Sequence, residues 1–478
     1  MLLFIVCFTS GLLALLVLRW HRTFKLLVPL PGPPSKSFLT GHFKDMFGLH
    51  GIEFQGEVLK TYGPTVRMAG ALGEEFIFTL DPSFIHTVFV KDRSKFGRSK
   101  GGTLMIRSVF GPGLAALTGE EHRQQRKLLN PVFTEQHLRE RDGKLFVHGC
   151  RSELTTKSPQ LPIFTGVAKQ ACQAIDQSLS TDVIDMIPWT TAAALELIGE
   201  AGMGYSFNSF AGERNEYSIA SKSVARLFVK LVPFIPIYPY LARLPITHNM
   251  LSYFPFPLLR QVLKVTNIQN EQAEQIIRER KDMLANGADL ESVTGRGKDI
   301  LTQLIPVKAN EEGIFIFAGY ETTSSTIARI LDVLANNPEI QDRLRSEVLE
   351  RQEEGVLELP YLDAVVKETL RLYAPASYIS RICEEDTVVP LSYPVSTPSG
   401  TITSLPIKKG TRLALSVTFS NRDEKAWGKK ADEFWPDRWL EAEQPGNPSL
   451  QCVYSSMMTF GIGQYACIGF KFAVMEIS

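Results

Sequence analysis

The chain predicts a mainly α-helical fold with a small β region, carried behind an apolar amino-terminal segment. Three observations predict it. Apolar residues recur at helical spacing from Ile314 to Leu334, and again over Leu362, Val365, Val366, Thr369, Leu370 and Tyr373. Asn336-Asn337-Pro338 is a stop signal for the first of these helices. Short β-like runs are confined to Val66 through Thr79, with Gly70 and Gly73 as turn points, and most of the remainder reads as helix.

Met1 to Leu18 contains no charged side chain. As a helix it is about 27 Å long, enough to span a bilayer. Arg19, Arg22 and Lys25 come immediately after it and no Lys or Arg precedes, so the positive-inside rule leaves the carboxyl side in the cytoplasm. A cleaved signal peptide is the alternative, but it needs positive charge before the apolar run and small residues at the cut, and both are missing. Pro29-Leu30-Pro31-Gly32-Pro33-Pro34 then ends the helix with a stiff segment that sets the orientation of the domain behind it. The expected organisation is an anchor over 1–18, a basic and Pro-rich hinge over 19–34, and one large domain over 35–478.

Hydrophobic content of 44% and charged content of 21% are those of a globular chain with a substantial core. Formal net charge is zero, so nothing points to nucleic acid. Six cysteines, with no C-x-x-C pair, are too sparse for a disulfide scaffold. The apolar, Pro- and aromatic-rich stretch from Leu227 to Leu263 reads equally as a core crossing or as a surface dipping into a membrane.

Two motifs fail their context. Gly97-Arg98-Ser99-Lys100-Gly101 fits the hydrolase nucleophile elbow, but Lys91, Asp92, Arg93, Lys95 and Lys100 make it a solvated loop rather than a buried strand–turn–helix. Gly461 to Ala466 fits the dinucleotide pattern G-x-G-x-x-A, but the ribose-binding acid due about twenty residues later has no place before Ser478.

Phe460 to Gly469 reads F-G-I-G-Q-Y-A-C-I-G, a Gly-kinked loop that sets Cys467 just before a helix beginning near Ile468. Amides at a helix start stabilise a thiolate, although a lone Cys on such a loop is more often structural. Its company changes that weighting. Ala318-Gly319-Tyr320-Glu321-Thr322-Thr323, Glu368 with Arg371, and Phe434-Trp435-Pro436-Asp437-Arg438-Trp439 precede it in order. Together with Phe460, Gly463, Cys467 and Gly469 these segments resemble the cytochrome P-450 family, most closely its fungal microsomal members, from about Pro31 to the end. Asn421-Arg422-Asp423, Trp427 and Gly428 also stand where that family places similar residues.

The resemblance implies a haem-dependent monooxygenase. It inserts one atom of O2 into an apolar or amphipathic organic substrate, with electrons from NADPH through NADPH-cytochrome reductase. It implies haem b with Cys467 as the iron ligand, Phe460 shielding the sulfur, and Gly463 and Gly469 permitting close backbone approach. His122, Arg126 and Arg381 are the implied propionate partners, with His122 standing where many members have Trp. Glu321 and Thr322 are implied as the proton relay, in a helix opened locally over the haem; a small-residue crossing of two packed helices is the plainer alternative for this segment. Glu368 and Arg371 alone make a weak surface pair, and by resemblance Arg438 closes them into a buried triad. Arg123, Lys127 and Lys471 are candidates for the reductase-docking face. The implied location is the endoplasmic reticulum membrane, single-pass, with the catalytic domain cytoplasmic.

Three departures stand against that pattern. Tyr465 occupies the ligand-loop Arg position, replacing a charged fork with one hydroxyl. The chain ends at Ser478, where the family continues into strands. Arg141 to Gln160 has no family counterpart, and family residues are absent where Lys308-Ala309-Asn310 meets Glu311-Glu312-Gly313. A haem-thiolate isomerase or dehydratase and an inactive haem-binding remnant are the competing readings. Retention of Glu321-Thr322 argues against the isomerase or dehydratase.

Overall fold

The computed structural model describes residues 25–133, 161–178, 183–210, 216–231, 257–285, 312–350, 359–441, 446 and 450–478. The expected anchor, the segment Arg141 to Gln160 and the junction before Glu311 lie outside the described residues. Among the described residues no helix is long and apolar enough to cross a membrane.

The Pro-rich segment is docked. The Arg67 N–H donates to the Pro31 carbonyl at 2.8 Å, and Lys25 pairs with Glu75 at 2.6 Å. Gly32 lies so close to Arg67 that a Cβ there would stand 2.0 Å from its carbonyl oxygen. Strands β1 (Thr65–Ala69) and β2 (Glu75–Thr79) pair antiparallel where the sequence places its β-like runs. The turn between them uses the left-handed region at Leu72 and Gly73, while Gly70 is ordinary extended backbone.

More of the chain is strand than its sequence suggests. Beyond β3 (Phe96–Gly97) lie β4 (Tyr378–Cys383), β5 (Thr387–Thr397), β6 (Gly400–Ile407), β7 (Arg412–Ser416), β8 (Cys452–Tyr454) and β9 (Met457–Ile462). The main sheet has the order β1-β2-β7-β4-β3, with β5-β6 and β8-β9 as separate ribbons. Burial alternates through much of β5, but Pro390 and Pro394 disguise it. Proline is tolerated there because a two-stranded ribbon leaves one edge of each strand without a partner.

The principal helices are α1 (Gly51–Tyr62), α2 (Lys100–Phe110), α3 (Gly119–Leu129), α4 (Leu161–Ser178), α5 (Met186–Leu197), α6 (Glu216–Leu231), α7 (Pro257–Ala285), α8 (Glu312–Asn336), α9 (Pro338–Glu350), α10 (Pro360–Leu372) and α11 (Phe470–Ile477). The Asn-Asn-Pro stop holds, since α8 ends at Asn336 and α9 begins at Pro338. Of the apolar stretch Leu227 to Leu263, the ends belong to α6 and α7 and the middle lies outside the described residues. Ile316 and Tyr320 of α8 are fully buried in one core with Leu195 of α5 and Phe472 and Met475 of α11. A second core lies under the sheet around Phe84, Leu413 and Leu415. Helix α8 therefore crosses the molecule between α5 and the ligand loop.

The rejected elbow is a helix cap. Ser99 Oγ accepts from the Gly102 N–H at 3.3 Å and closes the start of α2. The loop is not wholly solvated, however, because Arg98 turns inward.

Candidate active site

Strand β9 leads through a short 3₁₀ turn, Gly463–Tyr465, to Cys467 and then α11. The Cys467 N–H donates to the Phe460 carbonyl at 2.7 Å, which folds the loop back on itself. This reversal needs glycine at Gly461 and Gly463, whose φ angles are +77° and +68°. A Cβ on Gly463 would also lie 3.0 Å from the Phe89 carbonyl oxygen. Gly469 has φ −94°, and among protein atoms a Cβ added there would meet the Phe133 ring at 3.7 Å. The helix also starts at Phe470 rather than near Ile468.

Cys467 is an exposed cysteine, and it lies in the walls of two cavities. Two cavities, about 300 Å³ and about 500 Å³, share Arg98, Phe460, Tyr465 and Cys467 in their walls. Burial pushes the thiol up, opposed by the Gly469 N–H and by Arg126. A thiolate there needs further positive charge. Phe460 stacks edge-on with Tyr454 at 5.4 Å and tilts against Phe470 at 6.0 Å.

Around the same walls stands a cluster of cations. Arg98 Cζ lies 4.4 Å from the centre of the Tyr465 ring, and Arg381 Cζ lies 5.0 Å from it. The His122 ring is 4.3 Å from the same ring. Arg126 donates to the Ala466 carbonyl at 2.6 Å, and Arg98 Nη1 donates to the carbonyls of Leu114, Ala115 and Leu117 at 2.9–3.2 Å. Arg381 donates to the Ser380 carbonyl at 2.8 Å. Among the described residues none of these arginines pairs with a carboxylate. Burial lowers Arg98 and Arg381 to about 10. Burial, then the three arginines, lowers His122 to about 4, so its imidazole is neutral at pH 7. The buried His122 Nε2 has no hydrogen-bond partner.

The structure brings His122, Arg126, Arg381 and Tyr465, which the resemblance named, near one another, and Arg98 joins them unannounced. Nothing in its local sequence separates Arg98 from the solvated Arg93 and Lys95. The Tyr465 ring lies within cation–π range of two guanidinium groups, an arrangement favourable for both.

Thr322 faces the 300 Å³ cavity, as do Ala318, Gly319, Thr323 and Thr326. Glu321 is half-buried and is not part of that wall. Helix α8 runs unbroken, so the expected local opening is absent. Instead the Thr322 hydroxyl donates to the Ala318 carbonyl at 2.8 Å, and the Thr326 hydroxyl to the Thr322 carbonyl at 2.9 Å. These hydroxyls are satisfied within the helix itself. Gly319 also meets the small-residue alternative, because a Cβ there would stand 3.0 Å from the Ile198 side chain just past α5.

Behind the loop, Glu368, Arg371 and Arg438 form a triad at most 3% exposed. Arg371 forks onto Glu368 at 3.0 and 2.9 Å, and Arg438 Nε reaches Glu368 at 3.0 Å. The Trp435 N–H and the Trp439 indole also donate to Glu368, both at 2.9 Å. The remaining guanidinium N–H groups hold backbone carbonyls of Asn421, Ala431, Glu433, Trp427 and Lys430. Asn421 then binds the Met458 N–H at 2.8 Å and the Thr459 hydroxyl at 2.9 Å, tying the triad to β9 and so to the ligand loop.

A haem needs an axial ligand, a slot and partners for two propionates. Cys467 on a wall common to two cavities, three arginines without carboxylates and an orphaned imidazole nitrogen fit that group. Comparison with known proteins agrees. The profile of the family described as Cytochrome P450 matches residues 31–478. The cytochrome P450 monooxygenase 219 of Postia placenta is 34% identical, covering 96% of this chain and 86% of that protein. The ganoderic acid synthetase CYP5150L8 of Ganoderma lucidum is 31% identical over 94% of this chain and 85% of its own. The chain belongs to the cytochrome P450 family and is a monooxygenase.

Proposed function

We propose that this enzyme binds haem b through the Cys467 thiolate and hydroxylates an apolar or amphipathic organic substrate. NADPH would supply electrons through NADPH-cytochrome reductase. The observation that carries the reading is the shared wall that holds Cys467 beside an arginine cluster with no carboxylate partner among the described residues. The bound haem supplies oxygen binding and O–O cleavage, which a thiolate ligand favours.

The chain's own residues do the rest. Arg98, Arg126 and Arg381 neutralise the propionates, neutral His122 donates from one ring nitrogen, and the Tyr465 hydroxyl takes the place of a charged fork. Phe460 keeps water from the sulfur. Thr322 holds a hydroxyl at the cavity face and passes protons with Glu321, provided that Glu321 reaches it through water. Arg123 and Lys127 are exposed on α3 beside Leu128, which is 54% exposed, a basic surface with an apolar centre suited to the reductase. Large apolar side chains at Leu27, Phe38, Leu39, Leu49 and Ile52 are exposed among the first described residues, in keeping with anchorage to the endoplasmic reticulum membrane.

Arg98 and Thr322 can be tested separately. Arg98→Ala removes a charge-assisted contact to a propionate, worth roughly 1.5–3 kcal/mol. Haem transfer to an apo-protein acceptor should accelerate roughly ten- to a hundred-fold, and an unchanged rate would remove Arg98 from the haem site. Thr322→Ala should keep haem and substrate-induced spectral shifts while sending more of the reducing equivalents to hydrogen peroxide. Unchanged coupling of NADPH use to product would end the relay role of Thr322.

A further inference from the structure

The larger of the two cavities, about 500 Å³, has a polar corner to which haem binding assigns no role. Part of its wall is the ligand loop with Tyr465 and Cys467, and part is the main sheet, where Arg412 and Ala414 of β7 and Tyr378 of β4 stand with Phe76 of β2 and Phe43. Side chains alternate between the faces of a sheet. Arg412 stands opposite Ile382, Ala414 opposite Ser380 and Ser416 opposite Tyr378, so Arg412, Ala414 and Tyr378 share one face. Arg381 pairs with Leu413 on the other face. Arg412 is therefore not a further member of the cation cluster around Tyr465.

Arg412 is 8% exposed, and its Nε donates at 2.9 Å to Oε1 of Glu74, itself 3% exposed. Its two Nη groups hold no acceptor among the described residues. The second Glu74 oxygen is buried without a partner and lies against Gly70, where a Cβ would stand 2.7 Å from it. Glu74 thus braces Arg412 from behind. A buried ion pair left this incomplete is a weak stabilising device. The Tyr378 ring packs on Phe47 at 5.9 Å, and its hydroxyl has no hydrogen-bond partner among the described residues. Burial pushes the phenol up to about 12, opposed by the nearby Arg412 charge, so it is protonated and able to donate at pH 7.

Two donors in a mostly apolar wall lack an acceptor. The bond to Glu74 balances the guanidinium charge, so a substrate acid would bring an unpaired carboxylate into the cavity. A carbonyl oxygen carries no net charge and has two lone pairs, one for each donor. We infer that Arg412 and Tyr378 hold the substrate by a neutral carbonyl oxygen, and that the enzyme takes apolar ketones and esters in preference to hydrocarbons or free acids. The inference rests on the proposed apolar or amphipathic substrate and narrows it. Phe43, Phe76 and Ala414 supply the apolar wall beside that oxygen, and Cys467 lies in the wall of the same cavity. Arg412 and Tyr378 determine specificity and orientation; the oxygen they hold is not the one that the reaction inserts.

The test uses the full haem-loaded chain and three probes of matched length: decane, methyl octyl ketone and decanoate. Dissociation constants come from the probe-induced Soret shift and, without recourse to the haem spectrum, from the probe-induced rise in Tm. The ketone should bind about ten-fold more tightly than decane or decanoate. Tyr378→Phe removes one donor and should weaken the ketone about three- to ten-fold while leaving decane unchanged. Glu74→Gln combined with Arg412→Gln keeps a hydrogen-bonded pair, removes both charges and should weaken the ketone at least as much. If that double variant fails to fold, Tyr378→Phe decides. The inference is overturned if the wild type gives no response to the ketone, if it binds decane as tightly, or if Tyr378→Phe keeps wild-type affinity. Tighter binding of decanoate overturns it in favour of an anion site. Absence of the thiolate signature from the wild-type CO complex would count against Cys467, and the Tm measurements would still decide the carbonyl preference.

Discussion

Cys467→Ser should abolish the red-shifted Soret band of the reduced CO complex, and Cys452→Ser should leave it intact. The band reports thiolate ligation, so the effect is all or none. Cys467 is the cysteine on the wall common to the two cavities, at the end of a loop that left-handed glycines fold back on itself. Cys452 is half-buried on β8, and burial pushes its thiol up to about 12, so nothing there favours a thiolate. Cys383 is buried in the sheet with its thiol donating to the Glu385 carbonyl. Persistence of the band in Cys467→Ser would refute the ligand assignment.

Glu368→Ala should be the most destabilising single change outside the ligand. It leaves Arg371 and Arg438 buried without their counter-charge, a loss on the order of 3–5 kcal/mol. It also strands the Trp435 N–H and the Trp439 indole, which donate to the same carboxylate. Glu368→Gln retains acceptor geometry on one oxygen and should fall between Glu368→Ala and the wild type. The measurement is denaturant-induced loss of the CO band alongside far-ultraviolet circular dichroism. Equal midpoints for wild type and Glu368→Ala would show that the triad does not hold the ligand loop.

How much of the fold and site was legible depends on whether a feature is local. The helices around Ile314–Leu334 and Leu362–Tyr373 were, because one buried face imposes its period on the sequence. The Cys467 loop was too, since its glycines answer a local backbone demand. The strands after Tyr373 were not: prolines broke the alternation of β5, and β7 is buried along its whole length, so it has no polar face to mark it. Arg98 was missed because its place at the site comes from a neighbour distant in sequence, Tyr465, and no spacing records such a meeting.

The triad grips its surroundings largely by main-chain oxygens. Arg371 and Arg438 hold the carbonyls of Asn421, Trp427, Lys430, Ala431 and Glu433 and ask nothing of most of the side chains there. Lys429, Lys430, Asp432 and Glu433 can therefore drift in identity while the path of the chain stays fixed. Such a clamp separates heritable variation from geometry: the surface of this coil is free to diversify toward new partners, and the cysteine behind it is not disturbed.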